Sequence, residues 1–238
     1  MPRAPKWLFD TVDLLTTKLP DVTVDETVFL SPSVKKIRMS GVFDKVKLTV
    51  GAYIDFRVTE TEVRRYTVSN FDKETQSMEF IVHLHGKGCG ADYMNALQPG
   101  DVLSLNKPST MIKYYDSSFQ QYIIFGDESS LGLAQSFAPV LKQNKHIFQF
   151  IFELDEENLK IPEILGLESV IVYPKTGLFK NEDWIKQLPV FPLQNEAHIK
   201  FILTGNVKSA QTFRKVIKDT TKSKVYLHGY WLEGKKGL

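Results

Sequence analysis

QYIIFGDESSLGLAQSFAPVLKQNKHIFQFIFEL, residues 121–154, reads as strand, helix, strand. The outer runs QYIIFGD (121–127) and HIFQFIFEL (146–154) are short and rich in Ile and Phe. Between them, SSLGLAQSFAPVLKQ (129–143) sets its apolar residues at helical spacing, with Pro139 near the third turn. Two strands joined through a helix run parallel, whereas antiparallel neighbours need only a tight turn. The alternation continues with a broken helix in ENLKIPEIL (157–165) and strands in SVIVYP (169–174) and AHIKFILTG (197–205). A helix in SAQTFRKVIKD (209–219) and a last strand in KVYLHGYW (224–231) complete it. The pattern predicts an α/β domain built on a mostly parallel sheet over residues 118–238.

Upstream the texture is different. VTVDETVFL (22–30), KKIRMSGV (35–42), KLTVGAYIDFRV (47–58), RRYTVSN (64–70), MEFIVHLHG (78–86) and DVLSLNKP (101–108) are short β-like runs between turn residues. Six such strands predict an antiparallel β-barrel over residues 1–117, because closure removes exposed edges. ADYMNALQ (91–98) interrupts them as a helix, and Pro99-Gly100 then supplies the central pair of a type II turn. PKWLFDTVDLLTTKL (5–19) reads as an N-terminal helix stopped by Pro20. The rhythm changes in YYDSSFQ (114–120), which sets the domain boundary.

Composition narrows the function. The 238 residues carry a formal net charge of +2, which points away from a nucleic-acid partner and, at most, towards anionic ligands. Cys89 is the one cysteine, so neither an intrachain disulfide nor a multi-cysteine metal site is open to the chain. No apolar run approaches the roughly 18 residues of a membrane span, and MPRAPKWLFD lacks the pattern of a secretory leader. The expectation is a cytoplasmic protein.

Two stretches can carry chemistry. In RRYTVSN, period-two alternation puts Arg64 and Tyr66 on one face and Thr67 on the other. An arginine fork suits a phosphate or pyrophosphate, and a tyrosine beside it offers a flat surface to a ring. The plainer reading is a solvated arginine pair with Tyr66 in the core. In HLHGKGCGADYMNAL (83–97) a strand runs through glycines into a helix start, where free N–H groups and the helix dipole favour an anion. The plainer reading is an ordinary strand-to-helix turn with Asp92 as the cap.

Around these stretches, His83 and His85 stand two apart and line the site or donate hydrogen bonds; a metal needs more ligands than they supply. Cys89 lies near the helix start, where a thiol pKa can fall. ELDEEN (153–158) reads as a solvated acidic loop, and Tyr230-Trp231 either pack in the core or stack on a cofactor ring.

Taken in order, these segments resemble the siderophore-interacting proteins, FAD-dependent ferric-siderophore reductases of the ferredoxin–NADP reductase-like superfamily. The resemblance is carried by FLSPSVKKIRMSG (29–41), RRYTV (64–68), HLHGKGCGAD (83–92), LQPGDVLSLNKP (97–108), YIIFGDESSLGLA (122–134) and GYWLEG (229–234). It implies a FAD-binding barrel followed by an NAD(P)-binding-like domain. It also implies FAD held by Arg64, Tyr66, Thr67, Val68, His83, His85, Gly88, Cys89, Gly90, Ala91, Asp92, Asp127, Tyr230 and Trp231. Arg64 would pair with the pyrophosphate, and Thr67 would bond the ring. NAD(P)H or a ferredoxin-like donor would supply electrons, and a ferric siderophore or other ferric chelate would accept them. Asp92 stands where the family has a serine, Leu232 where it has an arginine, and Lys107-Pro108 where it has glycine–proline. The resemblance implies no catalytic acid or base and no resident metal.

Overall fold

The computed structural model describes residues 5–7, 10–11, 18–86, 88–110, 114–191 and 196–235. Most of the expected N-terminal helix, residues 8–9 and 12–17, lies outside them. The chain forms two compact units, Met1–Ile112 with Lys236–Leu238, and Lys113–Lys235.

The first unit holds strands β1 (Val22–Ser31), β2 (Val34–Ser40), β3 (Tyr53–Arg57), β4 (Val63–Asp72), β5 (Ser77–His83) and β6 (Val102–Leu103), with helix α1 (Cys89–Ala96) between the last two. All pairings are antiparallel, in the order β3-β4-β5-β2-β1-β6. The chain beyond β6 returns to the other end of the sheet, where Tyr53 and Ser109 exchange both N–H···O bonds at 2.9 Å. Alternation decides the inside: Ile37 and Met39 of β2, Ile54 and Phe56 of β3, and Phe80 and Val82 of β5 are buried together. Met94 and Leu97, on and just beyond α1, close that core. Strands β3 and β6 are among those shorter than the sequence predicts. Residues 47–50 and 104–108 fall outside β3 and β6, so the apolar Leu48, Val50 and Leu105 lie in irregular segments.

The second unit is a five-stranded parallel sheet in the order β11-β10-β7-β8-β9. Its strands are β7 (Gln121–Gly126), β8 (Ile147–Leu154), β9 (Val170–Pro174), β10 (Ile199–Leu203) and β11 (Lys224–Leu227). Helix α2 (Leu131–Gln143) meets one face through Phe137 on Tyr122. Two short helices, α3 (Ile161–Ile164) and α4 (Glu182–Ile185), precede α5 (Val207–Thr220), which covers the other face. There Phe213 packs on Phe125 and Phe201. Burying one such ring stabilises the fold by roughly 1.5–3 kcal/mol. With both faces covered, strands such as Ile199–Leu203 are buried at every position.

Candidate functional site

Strand β4 and helix α1 build the candidate site in the first unit. Cross-strand pairing puts Arg64 opposite Phe56 and Tyr66 opposite Ile54, on the face that looks into the unit. Arg65 and Thr67 lie opposite Asp55 and Tyr53 on the other face, where the Arg65 guanidinium sits 3.7 Å over the Tyr53 ring. Tyr66 meets Phe56 edge-on at 5.6 Å, and burial drives its phenol pKa far upward, so it stays a neutral donor. Val68 is a core residue whose N–H bonds the Ala52 carbonyl at 2.8 Å.

Helix α1 approaches this face through Gly90. A Cβ on Gly90 would stand 2.8 Å from both Cγ of Arg64 and the Tyr66 hydroxyl, so only glycine lets the first helical turn come so close. The preceding Gly88 has φ 143 and is the N-cap, and no side chain among the described residues caps the helix. This corrects the expectation for Asp92, which lies one turn inside, exposed, with its N–H on the Gly88 carbonyl at 3.0 Å. The first turn of α1 thus lies against the Arg64 side chain, and its early N–H groups lack a side-chain cap, two features that suit an anion. His83 and His85 pack edge-on at 6.0 Å, and His85 borders Gly88.

Two charged residues that the sequence reading passed over complete this region. The side chain of Glu62 lies 3.5 Å from Nη2 of Arg64, whose Nη1 donates to the Val63 carbonyl at 2.9 Å. Burial, and then a hydrogen bond to Glu62, push the Cys89 thiol above its ordinary pKa, the reverse of the fall its helix-start position predicts. At the far end of α1, the buried Lys35 ammonium donates to the carbonyls of Met94, Asn95 and Leu97 at 3.2, 2.9 and 2.8 Å.

The remaining candidates sit in the second unit, at the C-terminal ends of its strands. Asp127 follows β7, is 1% exposed, and accepts from the Ser129 N–H, the Asn206 N–H and the Trp231 indole N–H at 2.9, 2.8 and 2.6 Å. It holds Trp231 in place. Tyr230 belongs to a different network, its hydroxyl 3.1 Å from that of Tyr114, which also meets Nδ1 of His228 at 2.8 Å. Glu128 is buried and pairs with Lys175, while accepting from the Asp155 N–H at 2.6 Å. The acidic run is not a uniform solvated loop: Glu153 is the penultimate residue of β8 and 3% exposed. Burial pushes its carboxyl up to about 7; Asp127 adds to this, and the Ser209 hydroxyl, Lys175 and Lys180 oppose it.

The family model for the oxidoreductase FAD-binding domain matches residues 21–114. The glycine cradle at Gly90, beside an arginine and an uncapped helix start, fits that assignment. A comparison with curated protein sequences finds no match. Among solved structures, the siderophore-interacting protein SipS from Aeromonas hydrophila superposes with a TM-score of 0.73 at 20% identity, covering 92% of this chain and 93% of that one. Phthalate dioxygenase reductase gives 0.75 at 13% identity over 91% of this chain and 70% of its own. A ferredoxin NADP+ reductase from Neisseria gonorrhoeae, with bound FAD and NADP, gives 0.70 at 14% identity over 90% and 99%. These likenesses establish the fold: an antiparallel β unit followed by a parallel α/β unit. The activity that goes with an oxidoreductase FAD-binding domain is flavin-dependent oxidoreduction.

Proposed function

We propose that the protein is a FAD-dependent ferric-chelate reductase whose substrate is a ferric siderophore, releasing iron as Fe(II) in the cytoplasm. The observation that supports this most is the approach of Gly90 to Arg64 and Tyr66, which brings an arginine beside a helix start that no side chain caps. Arg64 would neutralise the FAD pyrophosphate, and the N–H groups of Cys89, Gly90 and Ala91 would receive its oxygens. Tyr66 would lie along the ribityl chain or ring, Thr67 would bond the ring near N5, and His83 and His85 would border the loop. Within the second unit, Asp127 fixes Trp231. When bound, the flavin supplies the conversion of a two-electron input into single-electron steps, and the protein supplies position and electrostatics.

NAD(P)H or a ferredoxin-like protein would be the donor, and one two-electron donor would reduce two Fe(III). No acid or base is needed from the protein. A formal charge of +2 suits an anionic ferric chelate. A general NAD(P)H–flavin oxidoreductase is the second reading, and the likeness to the ferredoxin NADP+ reductase favours it.

The deciding experiment is anaerobic. The bound FAD is photoreduced, a ferric siderophore is added, and flavin reoxidation is followed with a ferrous trap present. Reoxidation matched by Fe(II) capture is the expected result. A flavin that stays reduced for many minutes beside excess ferric chelate, yet is readily reduced by NAD(P)H, selects the second reading.

A further inference from the structure

We infer that Glu62 is an internal competitor for the phosphate seat, an anion that FAD must displace from Arg64 in order to bind. The inference rests on the flavin reading above and concerns the residue that sets affinity at that site. Glu62 immediately precedes β4, and its carboxylate contacts both elements assigned to the pyrophosphate. It pairs with the Arg64 guanidinium at 3.5 Å and accepts the thiol hydrogen of Cys89, the first residue of α1. The Glu62 side chain is 16% exposed and that of Arg64 22%, so solvent screens the pair less than it would on an open surface.

A pyrophosphate arriving here meets a like charge within reach of the same guanidinium. Both anions cannot use one arginine at full strength, and the carboxylate must leave or share. Either event costs affinity. The ligand-free site is thereby kept neutral and ordered, and the bound flavin is held less tightly than Arg64 and the helix start alone would hold it. Neutralising Glu62 removes the repulsion while preserving its size and its capacity to accept from Cys89.

The test uses the full chain stripped of flavin. FAD is titrated by quenching of its fluorescence into wild type, Glu62→Gln, Arg64→Ala and the double variant. Glu62→Gln is expected to tighten FAD by roughly 3- to 10-fold. In the Arg64→Ala background the gain should shrink to less than about twofold, because the contested group is gone. Equal or weaker binding by Glu62→Gln, with wild type binding normally, overturns the competition while leaving the flavin site standing. Absence of FAD binding in every variant defeats the flavin reading and the competition with it. A second readout needs no flavin: with a single cysteine in the chain, iodoacetamide alkylation reports on Cys89 alone. Glu62→Gln should speed alkylation several-fold at pH 8 by lifting the negative charge from the thiol. An unchanged rate would mean that Glu62 does not hold the helix start, and would overturn the inference.

Discussion

The ammonium of Lys35 lies 2.8 Å from the carbonyl oxygen of Leu97 and closes the C-terminal end of the helix whose first turn meets Arg64. Lys35 is 2% exposed and also receives the carbonyls of Met94 and Asn95, so a cation fills the place where a helix leaves unpaired acceptors. Burial lowers its pKa, and Asp101 opposes that. Strand β2 and helix α1 are thus tied together, and the tie fixes where the N-terminal end of α1 points.

Lys35→Met is therefore expected to destabilise the first unit by about 1–3 kcal/mol, the cost of leaving buried acceptors short of a donor. Methionine matches the stem in length, which isolates the ammonium from packing. FAD affinity should fall with it, because the helix start loses its anchor. Urea denaturation with a parallel FAD titration checks both; full stability and full affinity would show that the ammonium is dispensable.

The two arginines of β4 separate by face. Arg64→Ala should weaken FAD by roughly 1.5–3 kcal/mol, the worth of a charge-assisted pair with phosphate. Arg65 is exposed, pairs with Asp55 at 3.0 Å and covers Tyr53, so Arg65→Ala should leave FAD affinity nearly unchanged. Calorimetric titration of both variants decides; equal losses would refute the assignment of faces.

Much of this was legible in the residues, for identifiable reasons. Period-two alternation in RRYTVSN separated Arg64 and Tyr66 from Arg65 and Thr67, and the β3–β4 register has the same division. The strand–helix–strand run at 121–154 carried the parallel sheet. What escaped was decided by tertiary contact. Lys35 sits in KKIRM, where a lysine pair reads as solvated, and nothing local says that three carbonyls from residues 94–97 will surround it. Glu62 lies in a polar turn, and its partners Arg64 and Cys89 meet only when α1 folds onto β4. Asp92 was read as a cap because helix starts favour aspartate; the helix begins three residues earlier, at Cys89. Glu153 did leave a signal, a carboxylate closing the apolar run HIFQFIFEL, which argues for burial more than for a loop.

Gly90→Ala tests the close approach. Its added methyl would meet Arg64 and Tyr66 at 2.8 Å, and both side chains must shift. Alanine also raises helix propensity by about 1 kcal/mol, which offsets the strain in the stability of the unit. The expected outcome is a small change in melting temperature beside a loss of at least about tenfold in FAD affinity, about 1.4 kcal/mol. Parallel losses in both would mean that the glycine serves folding alone.

Glu153 gives the second unit its own pH signature. Its carboxyl sits between the buried Asp127, the Ser209 hydroxyl and the ammoniums of Lys175 and Lys180, with burial raising the pKa from 4.5 to about 7. A carboxyl with a raised native pKa keeps its proton in the folded state after the unfolded chain has released one. Stability therefore falls as pH rises from about 4.5 to about 7 and levels off above that, by on the order of 3 kcal/mol for this shift. Lys175 leaves that interval undisturbed: burial works against its charge, yet Glu128, Asp127 and Asp155 hold its pKa above the ordinary lysine value. Glu153→Gln cannot ionise, so its unfolding free energy should lose this downward slope while other groups keep theirs. The gain over wild type is expected at pH 8 and should vanish near pH 4.5, apart from a constant offset. Urea denaturation followed by tryptophan fluorescence measures it, since Trp184 and Trp231 both belong to the second unit. A difference between variant and wild type that is the same at every pH from 4.5 to 8 would show that Glu153 is ionised throughout, and would refute its burial as the cause of the shift.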